Sequence, residues 1–117
     1  MTNANAEASV QAAINAALDC VRACQICAAA CLGERDVEKL RDCIRLDLDC
    51  AEICAMTADF LSRESFFQAQ ACQLCIDICE ACAAECGEHR RMEHCRECAA
   101  ACNKCAEACR AMETAMA

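Results

Sequence analysis

Cysteine recurs along this chain at alternating steps of three and four residues. Cys72, Cys75, Cys79, Cys82 and Cys86 form one run, and Cys95, Cys98, Cys102, Cys105 and Cys109 form another. Cys20, Cys24, Cys27 and Cys31 keep the same alternation. Cys43, Cys50 and Cys54 keep it too once Asp47 is counted in the place of a missing cysteine. A three-four alternation marks the inward seam of a helix in a bundle. Ordinary bundles fill that seam with leucine, isoleucine or valine, whereas this chain fills it with sulfur on four successive segments. The prediction is an all-α, antiparallel up-down-up-down four-helix bundle over residues 1–117, a single metal-binding domain with a cysteine-lined core. Each five-cysteine stripe would be roughly 21 Å long.

Composition excludes most other classes. There are 2 glycines and no proline, too few turn formers for an all-β domain and none for a phosphate-cradling loop. A formal charge of −8 with 3 phenylalanines and no other aromatic argues against nucleic acid. No 18-residue stretch is both apolar and uncharged, so no membrane span is expected. The opening Met1–Val10 lacks a basic start and an apolar run, so export is not expected either. The expected home is then the cytoplasm, where thiols stay reduced. Seventeen is an odd number of cysteines, which rules out complete pairing as disulfides within one chain. No nucleophile–base pair stands out, so an enzyme is not expected.

Four helical segments can be bounded. The first runs from about Ala6 to Leu32, with Gly33 as its C′ residue. Asp36 caps a second that runs to Leu61. Ser65-Phe66-Phe67-Gln68 reads as a capping box for a third, which ends near Cys86 with Gly87 beyond it. The fourth starts at Arg91–Glu93 and runs to Ala115. With 27 alanines and no proline the helices need no metal to form. One end of the bundle gathers Cys31, Cys43, Cys86, His89, His94 and Cys95 as a polar mouth. The other end gathers Val10, Ile14, Leu18, Phe60, Leu61, Phe66, Phe67, Met112 and Met116 as an apolar plug. Off the seam, Leu40, Ile44 and Leu48 form one stripe and Leu46, Ile53 and Phe60 another, to broaden the core or meet a second subunit.

The chemistry follows from sulfur on rigid helices. Residues three or four apart have Cβ atoms about 5–6 Å apart, a gap that two metal–sulfur bonds of roughly 2.3 Å nearly span. Soft thiolates select Cu(I), zinc or iron–sulfur clusters. Zinc and cluster sites usually draw cysteines from turns, which a helical array lacks. A monovalent d¹⁰ ion that replaces each thiol proton keeps the buried column neutral, whereas divalent zinc in four-thiolate sites leaves two negative charges per ion. The expected cargo is Cu(I), multiple ions per chain, up to roughly 17 if each sulfur bridges two ions. The remaining alternatives are a zinc or mixed thiophilic-metal buffer, an iron–sulfur electron carrier and a thiol redox sensor. Asp47 offers a hard oxygen that matches Cu(I) poorly, either as a hydrogen-bonded carboxyl or as a weak ligand. Met112 and Met116 read as core filling.

The run from Cys95 to Cys109, Cys95-Arg96-Glu97-Cys98-Ala99-Ala100-Ala101-Cys102-Asn103-Lys104-Cys105-Ala106-Glu107-Ala108-Cys109, resembles the last helix of the four-helix-bundle copper storage proteins. Glu85-Cys86, His89 and His94-Cys95 extend the likeness, which covers nearly the whole chain and is to the cytosolic class of that family. The resemblance implies homotetrameric bundles that hold many Cu(I) ions inside each monomer. It implies cysteine ligands on all four helices, with His89 and His94 helping metal in at the open end. Gly87 would take His89 off the stripe if it ended the helix first. Asp47 departs from an all-sulfur lining at its level.

Overall fold

A computed structural model describes residues 4–116; the Met1–Thr2–Asn3 start read above as lacking a leader lies outside them. The described residues form α1 (Ala4–Leu32), α2 (Arg41–Ser62), α3 (Gln68–Gly87) and α4 (Glu93–Met116). Each helix packs chiefly on two neighbours, α1 on α2 and α4, and α3 on α2 and α4. The result is an antiparallel bundle 55 Å long and 21 by 17 Å across. The sulfur seams face one another along its axis. All 17 cysteines are at 0 % exposure, and alanines such as Ala13, Ala17, Ala51 and Ala106 fill the flanks.

The connections differ in detail from the sequence expectations. Gly33 follows α1 as expected, but without a left-handed φ; its amide donates to the Ala30 carbonyl at 3.1 Å, a tightening of the last turn. Asp36 does not cap α2 through its side chain. Its carbonyl accepts from the Lys39 amide, and one 3₁₀ turn, Val37–Leu40, precedes α2. The capping box at Ser65 does not form. Glu64 adopts a left-handed φ of 52°, and the amides of Ser65 and Glu64 donate to the carbonyls of Phe60 and Leu61. This is a Schellman closure of α2 with glutamate where glycine is usual. It fixes Ser65, whose Oγ accepts from the Phe67 amide at 3.1 Å rather than from Gln68. Gly87 lies inside α3 as its last residue.

The apolar plug is smaller than its sequence suggests. Leu61 and Met112 are buried, and Val10, Ile14 and Phe60 partly so. Phe66, Phe67, Leu18 and Met116 are exposed, at 98 %, 62 %, 52 % and 49 %. Stepping back along the α1 seam from Cys20 reaches Ala17 and Ala13, both at 0 %, so Leu18 stands off the seam. Phe66 and Phe67 belong to the turn ahead of α3 and point away from the axis. Of the flanking stripes, Leu40 and Ile53 are buried, Ile44 and Leu46 partly so, and Leu48 is 48 % exposed.

By length and composition α1 is apolar enough to cross a membrane, with a window hydropathy of 1.3. No such span was expected, because Asp19 and Arg22 interrupt its apolar run. Its apolarity is alanine and cysteine, and Cys20, Cys24, Cys27 and Cys31 are all spent on the bundle axis. Such a composition suits a core helix whose side chains must be small enough for four helices to close on one column.

Candidate metal centre

The seams bring their sulfurs into a nearly continuous network. Every cysteine is a free thiol. At the centre, Cys102 Sγ lies 3.7 Å from Cys20 Sγ and 3.8 Å from those of Cys24 and Cys50. Cys98 lies 3.7 Å from Cys24. Further from the mouth, Cys50 meets Cys54 and Cys79 at 3.9 and 3.6 Å, and Cys75 meets Cys54 and Cys105 at 3.8 Å each. Cys72 and Cys109 are buried at the far end.

These sulfurs fall into overlapping quartets, each with all its members within 4.8 Å of one another. Cys20, Cys24, Cys50 and Cys102 form one quartet; Cys20, Cys50, Cys54 and Cys79 form the next, and Cys54, Cys75, Cys79 and Cys105 another. Sharing members makes the array a column rather than a set of separate pockets. Two bonds of about 2.3 Å that meet at an angle near 110–120° span about 3.8–4.0 Å, so the spacing suits thiophilic ions that bridge neighbouring sulfurs. One stripe on one helix could not reveal these quartets, since each takes sulfurs from two or more helices.

Asp47 occupies the seam as expected and is fully buried. Its Oδ1 accepts from the thiols of Cys98, Cys82 and Cys86 at 3.2, 3.3 and 3.4 Å, and Cys43 lies 3.9 Å from Oδ2. Burial pushes this carboxyl up to about 10. The direction favours the protonated, neutral carboxyl. Asp47 joins the central quartets to the sulfurs of the mouth.

At the mouth Cys27, Cys31 and Cys95 form a triangle with sides of 3.9 Å. His94 Nδ1 sits over it, 3.5 Å from Cys95, 3.6 Å from Cys27 and 3.8 Å from Cys31. His94 Nε2 meets Glu34 Oε1 at 3.3 Å. A carboxylate on Nε2 keeps the proton there and leaves the Nδ1 lone pair facing sulfur. Cys43 joins the quartet with Cys27, Cys31 and Cys95, and its sulfur lies only 3.3 Å from that of Cys86. Burial and the charge of Cys43 push the Cys31 and Cys95 thiols up, Cys95 to about 11. Thiol donors, Cys27 foremost and then Cys86, hold Cys43 down to about 3.

His89 stands apart from this cluster. Its Nε2 pairs with Glu85 Oε2 at 2.8 Å, and among the described residues its ring makes no hydrogen bond to a cysteine sulfur. It lines a cavity of about 350 Å³ together with Leu40, Met92 and the charged side chains Glu34, Arg35, Asp36, Lys39 and Arg91. Two residues of this region were passed over in the sequence. Glu34 carries no spacing signal, because it reaches His94 from the α1–α2 connection. Met92 does carry one, since Cys86, His89, Met92 and Cys95 follow one another at steps of three.

Known proteins share this architecture. The family model described as copper storage protein matches residues 6–114. An uncharacterized cysteine-rich protein of Bacillus subtilis (strain 168), YhjQ, is 48 % identical over 102 residues, which are 87 % of this chain and 94 % of that protein. The Cu(I)-bound copper storage protein BsCsp3 is 47 % identical with a TM-score of 0.84, over 89 % of this chain and 97 % of the other. A cytosolic copper storage protein from Streptomyces lividans, in a form with five coppers, is 40 % identical with a TM-score of 0.90, over 93 % and 95 % of the two chains. A thiol-paved bundle axis and a match across nearly the whole sequence lead to one conclusion: the chain belongs to the copper storage protein family.

Proposed function

We propose that this protein is a non-enzymatic cytoplasmic store that takes Cu(I) into its bundle and holds many ions there on cysteine thiolates. The observation that carries this reading is the burial of all 17 free thiols in one contiguous array. A core built for stability alone would use methylene-rich side chains, each worth about 1.5–3 kcal/mol on burial. Here Val, Ile, Leu, Met and Phe together number 24 of 117 residues, and the central seam forgoes them.

The ligands in this reading are the 17 cysteines, joined by His94 through Nδ1 at the mouth. Asp47 faces three sulfurs through Oδ1, and His89 stands further out. Each cysteine that takes Cu⁺ gives up one proton, so the interior gains no net charge as it fills. Four separate zinc sites of four thiolates each would place two negative charges per ion in the same column, at a heavy desolvation cost. Charge therefore favours copper over a zinc or mixed-metal buffer. An iron–sulfur carrier is disfavoured because the sulfurs come from helices whose spacing fits ions in series. Assembly as a homotetramer is part of the proposal. The exposed Leu48, Met56 and Leu74 on α2 and α3 supply apolar surface for it.

Anaerobic titration of the reduced protein against a chromogenic Cu(I) chelator tests the reading. The expected result is saturation near one ion per cysteine, roughly 17, in a colourless product. Saturation near four ions, or a brown iron-containing protein on purification, would overturn it.

A further inference from the structure

Within the cysteine runs one seam position carries oxygen in place of sulfur, that of Asp47. On its mouth side Cys43 lies 3.3 Å from Cys86, and Cys86 lies 4.0 Å from Cys82. Cys27, Cys31 and Cys95, the triangle beneath His94, complete this outer group of six sulfurs. On the other side Cys98 lies 3.7 Å from Cys24, and Cys24 lies 3.8 Å from Cys102. From Cys102 a chain of contacts at 3.6–3.8 Å runs on through Cys50, Cys79, Cys54 and Cys75 to Cys105.

Between these two groups the sulfur contacts widen. Among the described residues, no thiol–thiol hydrogen bond of 4.0 Å or less joins the outer six cysteines to the rest. Cys24, Cys82, Cys98 and Cys102 span the level more loosely, within 4.8 Å of one another. The close link across the level is the Asp47 carboxyl. Its Oδ1 accepts from Cys82 and Cys86 on one side and from Cys98 on the other, at 3.2–3.4 Å.

We propose that Asp47 partitions the copper store into two pools, an exchangeable outer pool on six cysteines and a reserve on the other eleven. The proposal rests on the copper-storage reading. Movement along the column is ligand exchange without redox. A Cu–S bond forms to the next sulfur as one to the last sulfur breaks, and the receiving thiol gives its proton to the sulfur left behind. Within each group the next sulfur stands close enough for one ion to touch both. At the Asp47 level the nearest donor is a hard oxygen, a poor partner for Cu(I). Copper on Cys82, Cys86 and Cys98 also replaces the thiol protons that Oδ1 accepts, and stripping a buried acceptor of its donors is costly. Both effects raise the barrier at this one step. Depth alone would grade the rates along the column, with no break at the sixth sulfur.

Copper release tests this. The reduced full-length protein is loaded anaerobically with Cu(I) and mixed with an excess of a chromogenic Cu(I) chelator. Wild type is expected to release its copper in two phases, about a third first and the remainder roughly ten-fold more slowly. Asp47→Cys continues the seam in sulfur, so its slow phase is expected to disappear. Asp47→Asn keeps an oxygen at the step and should keep both phases. A second measurement needs no variant: copper-edge anomalous diffraction from wild-type protein stopped after the fast phase should show copper on the Cys98 side of Asp47 and none on the outer six. A single release phase in wild type, an unchanged slow phase in folded Asp47→Cys, loss of the slow phase in Asp47→Asn, or remaining copper spread over both sides would overturn the partition. Failure of the storage reading would appear separately and earlier, as no multi-ion uptake by wild type.

Discussion

Replacing Cys102 with leucine is expected to remove roughly two-fifths of the rapidly filled copper capacity, because a close-packed column with one passage is blocked by any side chain that fills it. Cys102 lies against Cys20, Cys24 and Cys50 at 3.7–3.8 Å, midway along the axis. Beyond it from the mouth lie Cys54, Cys75, Cys79, Cys105, Cys72 and Cys109. Leucine is larger than cysteine and costs about 1–3 kcal/mol in overpacking, which helix content by circular dichroism will show to be tolerated. Cys102→Ser is the companion variant. It leaves the passage open and should lose only the one or two ions that need that sulfur. Stopped-flow loading of both variants checks the prediction. If Cys102→Leu loses no more ions than Cys102→Ser at the same rate, copper does not travel along the axis.

The second large effect concerns pH and the metal-free protein. Asp47 is raised from 3.8 to about 10 by burial. In the folded chain the carboxyl keeps its proton throughout that window, whereas the unfolded chain loses it near pH 4. The folded state binds more protons there, so stability falls as pH rises from about 4 toward 10. Each pH unit costs up to about 1.4 kcal/mol. Asp47→Asn keeps an oxygen for the three thiol donors and cannot ionise. The expected result is a metal-free wild-type protein whose urea midpoint drops between pH 5 and pH 8, and an Asn variant that lacks this share of the drop. At pH 8 the variant should be the more stable by on the order of 1–4 kcal/mol. Comparing the two proteins cancels the other titrating groups. Equal pH slopes would show that Asp47 is ionised in the folded state.

The seam was legible because helix periodicity and soft-donor chemistry coincide in the same residues. Counting threes and fours from Cys20 to Cys109 suffices to place all 17 sulfurs inside and to put Asp47 among them. Where that periodicity stops, sequence became a poorer guide. Phe66 and Phe67 read as core by hydrophobicity, yet a Schellman closure at Glu64 turns them to solvent. No residue type there announced it, since glutamate rarely takes a left-handed φ. Leu18 read as plug, but the seam runs through Ala17, one residue away. The mouth depends on the α1–α2 and α3–α4 connections, which set Glu34 on His94 and separate His89 from the sulfur cluster. Those placements follow from loop geometry and tertiary approach, which single-chain spacing does not encode.

The most direct measurement of the central claim is copper-edge anomalous diffraction from crystals of the fully loaded protein. The account predicts a string of copper peaks inside the bundle, from the Cys31–Cys95 mouth to the Cys72–Cys109 end, each about 2.3 Å from two or three cysteine sulfurs. Copper confined to surface histidines and carboxylates, or sulfurs joined to one another at about 2.05 Å along the axis, would contradict it.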